Sequence, residues 1–197
     1  MLQTPFGLED SDSENERFNR CSVHIQTWTY IHNGISTFVC LIAFIFGVMA
    51  LLWPEWHEWL TLYKQYLAYA RRADPILYWL CYKIFFISWI FIHVTHFMTI
   101  IVTIIGIQTI RPSLVFPQLI HLMVHLGLLT VLLAAVLIIC STAAKIAWFT
   151  LGLILIFMFP VCSNLYILVV FYEFIYEKYD ALQAVLANTK QVHFKER

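Results

Sequence analysis

Four long apolar stretches constrain the fold of this chain more than any other feature. They cover residues 34–53, 77–105, 114–140 and 146–172. Each is long enough to cross a bilayer as a helix, which takes about 20 apolar residues. The chain is therefore predicted to be all-α, an integral membrane four-helix bundle with a multi-pass topology.

The composition agrees with a membrane class. Charged residues make up only 12% of the chain, against about 25% in soluble domains. The formal net charge is zero, so no basic signature for nucleic acid is present. We expect a disordered acidic tail over 1–20, one membrane domain over 21–176 and a short C-terminal tail over 177–197. The acidic start does not resemble a cleaved signal peptide, so the first stretch is expected to act as a signal anchor.

Lysine and arginine residues near the stretches favour a topology with both termini in the cytosol. This orientation puts seven of these cations on the cytosolic side and four on the other side. An excess of Lys and Arg in cytosolic segments is typical of membrane proteins. Arg71 and Arg72 are the main residues that oppose this orientation.

The first apolar stretch carries a stripe of small residues. Their spacing of 4, 3, 4 and 3 puts all of them on one helix face, and they are Ser36, Cys40, Ala43, Gly47 and Ala50. Helices in lipid associate by close packing of small residues. This face is therefore predicted to contact another helix.

The segment between the first two stretches predicts an amphipathic interfacial helix. Its aromatic residues recur at a spacing of 3, 4 and 3, and they are Trp56, Trp59, Tyr63 and Tyr66. Ala70 continues this face, while polar residues, His57 among them, take the opposite face. A face rich in rings is typical of a helix that lies in the headgroup layer of a membrane. A cap packed over the mouth of the bundle is the alternative.

Two pairs of histidines lie at membrane depth. His93 and His96 are three residues apart, and His121 and His125 are four apart, so each pair shares one helix face. The short turn between the second and third stretches makes them antiparallel neighbours. Counting outward from that turn places the two pairs at levels that match to within a helical turn of about 5.4 Å.

Three interpretations of the histidines stay open. They are hydrogen bonding between helices, a metal or haem site, and a proton relay or pH sensor. Hydrogen bonding is favoured, because polar residues commonly join transmembrane helices. We therefore expect no cofactor and no catalytic residue, with a metal ion as the alternative.

A tyrosine pattern follows the fourth stretch. Tyr179-Asp-Ala-Leu182 matches the tyrosine-x-x-bulky apolar motif that adaptor complexes bind as a short extended peptide. Tyr172 begins a second match, but a tyrosine belt at the membrane interface explains that residue. Tyr179 and Leu182 are therefore the candidate sorting signal.

The motif His24-Ile-Gln-Thr27-Trp-Thr29 lies just before the first stretch and follows Cys21. It resembles a segment of the lysosome-associated transmembrane tetraspan family, in which a cysteine-rich start runs into His-Val-Arg-Thr-x-Thr. This chain keeps only Cys21 of the cysteine cluster. It also lacks the Pro-Pro-x-Tyr tail motifs that engage ubiquitin ligases, so ligase recruitment is not implied.

The resemblance implies residence in endosomes or lysosomes and a role in sorting or modulating other membrane proteins. The expected function is thus that of a non-catalytic tetraspan protein, whose partners are the lipid bilayer, other membrane proteins and adaptor complexes. One alternative is a histidine-liganded carrier of metal or protons, or a cofactor protein. Another is a junctional or channel-auxiliary tetraspan at the plasma membrane.

Overall fold

The computed structural model describes residues 17–59, 63–140 and 144–195. Most of the predicted acidic tail, residues 1–16, lies outside this description. The elements in chain order are β1 Asn19–Arg20, β2 Val23–His24, α1 Ile25–Leu52, a 3-10 helix Pro54–Trp59, a π-helical turn Tyr63–Leu67, α2 Ala68–Ala73, α3 Pro75–Thr109, a 3-10 turn Pro112–Leu114, α4 Phe116–Cys140 and α5 Ala144–Lys195.

Four helical segments among the described residues are long and apolar enough to cross a membrane. They are Ile25–Leu52, Pro75–Thr109, Pro112–Ala134 and Ile154–Ala187. Each overlaps one predicted stretch, which confirms the all-α, multi-pass membrane class. Three helices exceed their predicted bounds, since α1 begins at Ile25, α3 covers Pro75–Thr109 and α5 continues to Lys195. Hydropathy marks the part of a helix suited to hydrocarbon, whereas backbone hydrogen bonding continues into polar sequence.

The chain divides into two compact units. The first unit contains the residues up to Asn33 and those from Ile101 onward. Its core joins the start of α1, the turn before α4, and α5, and its fully buried side chains include Phe18, Ile25, Val115, Leu122, Leu168 and Phe171. The second unit is Gly34–Ile100, which holds the rest of α1, the connecting segment and most of α3.

Residues 17–20 belong to the folded part of the first unit. Phe18 is only 1% exposed, and its ring meets the ring of Phe174 edge-on, with centroids 5.1 Å apart. Burying such a side chain is worth about 1.5–3 kcal/mol relative to leaving it in water. The prediction of disorder is therefore wrong for residues 17–20, because one aromatic anchor outweighs the polar composition around it.

A small hairpin leads into α1. β1 and β2 pair in antiparallel register, and Cys21 and Ser22 form the turn with φ values of 53° and 64°. Positive φ at both central residues is typical of a type I′ hairpin turn, whose twist suits the flanking strands. The indole N–H of Trp28 donates to the Arg20 carbonyl at 2.9 Å, which ties the hairpin to α1. The sequence analysis did not predict these strands.

The turn between α3 and α4 is a tight helix cap. Ile110 has a left-handed φ of 51°, and the N–H of Arg111 donates to the Gly106 carbonyl at 3.0 Å. This bond is that of a Schellman cap, in which glycine usually takes the left-handed position. A branched residue there costs on the order of 1–3 kcal/mol. The packing of Ile110 against the core of the first unit offsets that cost.

In the second unit, side chains of α3 reach the backbone of α1. The indole N–H of Trp89 donates to the Ala43 carbonyl at 2.9 Å, and the Tyr82 hydroxyl donates to the Ala50 carbonyl at 2.8 Å. Both carbonyls lie within α1, where the helix backbone supplies one donor. The small side chains of Ala43 and Ala50 leave room for the side chain of α3 as a second donor. These two bonds hold the helices in register.

The connecting segment is not the single amphipathic helix that the sequence predicted. Its described parts are a 3-10 helix, a π-helical turn and the short helix α2, with residues 60–62 outside the description. Trp59 is 83% exposed, whereas His57, assigned to the polar face, is only 6% exposed. The prediction from helical spacing was wrong here, because His57 packs against side chains of α3 and is therefore buried. A single helix with an aromatic face would have left His57 exposed.

We predict that Gly106→Ala destabilises the first unit by about 1–3 kcal/mol, the usual cost of overpacking. A Cβ at Gly106 would lie 2.9 Å from the Leu114 Cβ and 3.2 Å from the Arg111 carbonyl oxygen. Gly127→Ala is the matched control, because nothing lies within 4 Å of a Cβ at that position. Equilibrium unfolding in mixed micelles measures both variants, and equal stabilities would contradict the tight approach.

Candidate functional site

His57 lies at the centre of a cluster of rings in the second unit. Its Nε2 is 2.7 Å from the Tyr78 hydroxyl oxygen. Its ring centroid lies 4.8 Å from that of Tyr63 and 4.9 Å from that of Tyr82. The ring of Trp79 completes what we call the His57 ring cluster. Aromatic pairs of this kind add about 0.5–1.5 kcal/mol each beyond the area that they bury.

An ion pair borders the His57 ring cluster. Arg71 contacts the Glu58 carboxylate and donates to the Tyr63 hydroxyl at 3.0 Å. The guanidinium carbon also lies 5.0 Å from the centroid of the Trp79 ring, within cation–π distance. The hydrogen bonds that Arg71 donates to Tyr63 and Glu58 raise the pKa of Arg71. Both charged side chains are about one third exposed, so the pair itself adds only about 0–1 kcal/mol.

Burial lowers the pKa of His57. The charge of Glu58 opposes this shift, but burial is the larger cause. A neutral ring with an unprotonated Nε2 accepts the O–H of Tyr78, whereas a protonated ring has donors at both nitrogens. The contact between the connecting segment and α3 therefore depends on the protonation state of His57.

An apolar groove of about 400 Å³ opens next to the end of α1 in the same unit. Its lining residues are Phe46, Met49, Ala50, Trp53 and Trp56. A groove of this size and lining suits an apolar occupant, such as a lipid chain or a bulky side chain from a partner helix.

Asn33 and Gln118 form a buried pair in the first unit that the sequence analysis missed. Gln118 Nε2 donates to Asn33 Oδ1 at 2.9 Å. Gln118 is 0% exposed and Asn33 is 2% exposed. Asn33 Nδ2 and Gln118 Oε1 are buried with no hydrogen-bond partner among the described residues. The one bond therefore joins the start of α1 to the start of α4. An amide near each apolar stretch was the signal that could have revealed this pair.

The small-residue stripe lies in the second unit, where it packs on α3. Cys40, Ala43 and Ala50 are buried, and Ser36 is half-buried. Gly47 makes the closest approach, because an added Cβ would lie 2.7 Å from Ile90 Cγ1. The stripe is thus used for packing inside the protein rather than for contact with a partner.

The histidines of α3 also lie in the second unit. His96 Nδ1 is 3.6 Å from Cys40 Sγ, and both side chains are buried. The ring of His93 meets the Trp89 ring edge-on, with centroids 4.7 Å apart. The contact of His96 fits the interpretation of this residue as a polar link between α1 and α3, whereas the ring contact of His93 lies within α3.

The histidines of α4 belong to the first unit. The ring centroids of His121 and His125 lie 6.3 Å apart, so both rings share one face of α4, as their spacing predicted. Within the part of the chain that the structure describes, no group of three or more His, Cys, Asp or Glu side chains is placed to hold a metal ion. A site that combines the two histidine pairs stays a prediction.

The motif that resembles the tetraspan family builds the start of α1. His24 Nδ1 accepts the N–H of Gln26 at 3.2 Å, and its ring lies 4.9 Å from that of Phe174. The Thr29 hydroxyl donates to the carbonyl one helical turn earlier and is buried, whereas Thr27 is exposed. His24 and Thr29 therefore have clear structural roles in this chain.

The candidate sorting signal lies on α5, not in a short extended tail. Tyr179 is half-buried and Leu182 is 43% exposed. Because α5 runs to Lys195, the predicted tail over 177–197 is helical as far as that residue. An adaptor that binds this motif as an extended peptide would have to unwind the helix locally.

Comparison with protein-family models, curated proteins and solved structures finds no match to this chain.

We predict that Asn33→Leu and Gln118→Leu each destabilise the first unit by about 1–3 kcal/mol, since each leaves a buried amide without its partner. The double variant should lose less than the sum, with a coupling of about 0.6–1.7 kcal/mol, as for hydrogen bonds between membrane helices. Unfolding in mixed micelles measures the cycle. Thr130→Val is the control, because its hydroxyl bonds only within its own helix. Additive losses would show that the two amides act independently.

We predict that acid loosens the connecting segment through His57. The folded pKa of His57 is lowered from the ordinary 6.5, so the unfolded segment takes up the proton first as the pH falls. The stability from this packing is therefore complete above about pH 6.5 and decreases below it. Hydrogen exchange over 54–73, compared between pH 7.5 and pH 5, measures the effect.

Two variants isolate the titrating ring. His57→Phe should remove the pH dependence of exchange in the connecting segment, because phenylalanine does not titrate. Tyr78→Phe should keep it, because the imidazole remains. Identical pH profiles for the natural protein and His57→Phe would refute the role of His57.

Proposed function

We propose that this chain is a non-catalytic four-span protein of endosomal or lysosomal membranes, which binds other membrane proteins and sorts or modulates them. The observation that carries the proposal is the open surface of its spans. Only 22% to 33% of the most apolar window of each span is buried within the chain. The remaining apolar surface is available to lipid and to the helices of partners.

The outer face of α1 is the best-defined part of this surface. Its exposed residues recur at a spacing of 4, 3 and 4 and are Phe38, Ile42, Ile45 and Met49. They lie opposite the small-residue stripe, which packs on α3. Association of helices in lipid depends on the fit of surfaces rather than on hydrophobicity. This ridged face is open to a partner helix whose small residues fit between the bulky side chains.

The polar side chains at membrane depth support a non-catalytic role. Trp89, Tyr82 and Gln118 each donate to a group on another helix of their own unit. His96 contacts Cys40 in the same way. These groups serve helix packing, which suits a protein that acts through its surfaces.

The location and the topology rest on sequence. The motif around His24 resembles endolysosomal tetraspan proteins, and Tyr179 with Leu182 matches an adaptor signal that is cytosolic if both termini are. The charge count favours that orientation. Arg71 opposes it, but its contact with Glu58 gives Arg71 a local role in the connecting segment.

Proximity labelling with the tagged full chain tests this function. We predict that Ile42→Trp with Ile45→Trp removes a set of labelled membrane proteins, since a poor fit of about 1–3 kcal/mol lowers binding by about fivefold to 150-fold. Phe159→Trp, at a position 78% exposed on α5, is the matched control. Tyr179→Ala should instead shift the labelled neighbours from endolysosomal to plasma-membrane proteins.

Each arm has its own contradicting result. Unchanged neighbours in the α1 variant would show that this face contacts only lipid. Unchanged compartment markers in Tyr179→Ala would remove the sorting signal from the proposal.

A further inference from the structure

Three buried side chains of the first unit each keep a polar group without a partner. They are Asn33 on α1, Thr103 on α3 and Gln118 on α4, here called the buried polar triad. Asn33 is 2% exposed, and Thr103 and Gln118 are 0% exposed. Asn33 Nδ2, Thr103 Oγ1 and Gln118 Oε1 have no hydrogen-bond partner among the described residues. Unpaired polar groups are unfavourable in the interior of a protein, so these atoms call for a bound partner.

The hydroxyl of Thr103 differs from several other threonine hydroxyls on these helices. Thr29, Thr99 and Thr130 each donate to a carbonyl of their own helix, at 2.9, 2.8 and 2.8 Å. Such a bond to the preceding turn is a common choice of a helical threonine. Thr103 makes no bond of this kind. Its hydroxyl is therefore available to a partner beside α3.

The close approach of α3 to the turn before α4 places Thr103 level with Gln118. A Cβ at Gly106 would lie 2.9 Å from the Leu114 Cβ, so the two segments touch at this point. Thr103 is three residues before Gly106, and Gln118 is four residues after Leu114. Each therefore lies about one helical turn, or 5.4 Å, from the contact. Because the two helices are antiparallel, both steps lead in the same direction.

Both side chains also face the interior of the first unit. Thr103 is one turn before Ile107, and Gln118 is one turn before Leu122, so each lies about 40° around its helix from that residue. Ile107 and Leu122 belong to the same buried core. Thr103 therefore faces the amide pair that Gln118 forms with Asn33.

The amide pair leaves one donor and one acceptor, whichever way its two groups are turned. With Gln118 Nε2 donating to Asn33 Oδ1, the remaining groups are an N–H of Asn33 and the carbonyl of Gln118. Turning both amides over exchanges these roles, but it again leaves one N–H and one carbonyl. The partner must therefore accept one hydrogen bond and donate another.

We propose that the buried polar triad holds one water molecule. The water accepts a hydrogen bond from Asn33 Nδ2, donates one to Gln118 Oε1 and shares a third with the Thr103 hydroxyl. Three bonds are the usual number for a buried water. A metal ion offers no acceptor to the N–H, and a chloride ion offers no donor to the carbonyl. The burial of all three side chains leaves no opening for a larger solute.

The site lies near the ends of its helices, so water reaches it over a short path. Asn33 is the ninth residue of α1 and Gln118 is the third of α4. Asn33 thus lies only about 12 Å from the start of α1 along the helix axis. Val115 and Leu122, at 0% and 1% exposed, belong to the core beside Gln118 and slow the exchange of the bound water. The water joins α3 to the pair between α1 and α4.

Nuclear magnetic resonance of the isotope-labelled full chain in lipid nanodiscs tests the proposal. Cross-relaxation between water and the side-chain N–H protons is compared in the laboratory and rotating frames, which separates a long-lived bound water from bulk water and from proton exchange. We expect a bound-water signal at the side-chain amide of Asn33. Asn19 is exposed and serves as the internal reference for bulk water.

Thr103→Val removes one hydrogen bond of the water and preserves the shape of the side chain. We expect the bound-water signal at Asn33 to become at least about fivefold weaker, because the water keeps only two of its three partners. Thr130→Val is the matched control and should keep the signal, since the Thr130 hydroxyl bonds within its own helix. Thr103→Ser should also keep the signal, since it retains the hydroxyl.

Three results would overturn the proposal. The first is the lack of a bound-water signal at Asn33 in the natural protein, a measurement that needs no variant. The second is a signal of equal strength in Thr103→Val and Thr130→Val, which would remove Thr103 from the site. The third is a resonance of the Asn33 amide that shifts when the sodium or the chloride of the buffer is replaced by a bulky organic ion, which would assign the site to an inorganic ion.

Discussion

Polar groups inside hydrocarbon need partners from the protein itself, and the packing of this chain depends on that requirement. In the second unit, Trp89 and Tyr82 find their partners in carbonyls of α1. In the first unit, Gln118 finds Asn33. Small residues permit these bonds, because a bulkier side chain at Ala43 or Ala50 would cover the carbonyl. The same requirement accounts for the contact of His96 with Cys40 between α3 and α1.

The segments at the span ends follow a different rule, because water is available there. Rings supply most of the packing of His57, while Arg71 and Glu58 remain partly exposed. Phe18 anchors the hairpin before α1 in a comparable way, with Arg17 paired to Glu177 at its edge. Both arrangements join one buried ring to a solvated ion pair. Such contacts hold a segment in place yet respond to pH or salt.

Several features of the fold could be predicted from sequence, and the reason is periodicity. Long apolar runs predicted the four spans, and the spacing from Ser36 to Ala50 predicted a packing face. The connecting segment escaped prediction, since His57 is buried by residues more than twenty positions away, such as Tyr78. The pair of Asn33 and Gln118 escaped for the same reason, as its members are 85 positions apart.

The sequence alone determined the membrane class, the number of spans and the tyrosine and histidine motifs, because hydropathy and spacing are local properties. Only the tertiary structure decided which polar groups pair, why Phe18 is buried within an acidic tail, and that Tyr179 and Leu182 lie on a helix. Those outcomes depend on contacts between distant residues. The spacing of apolar residues along one helix predicts which face is buried, but it does not identify the element that packs on that face.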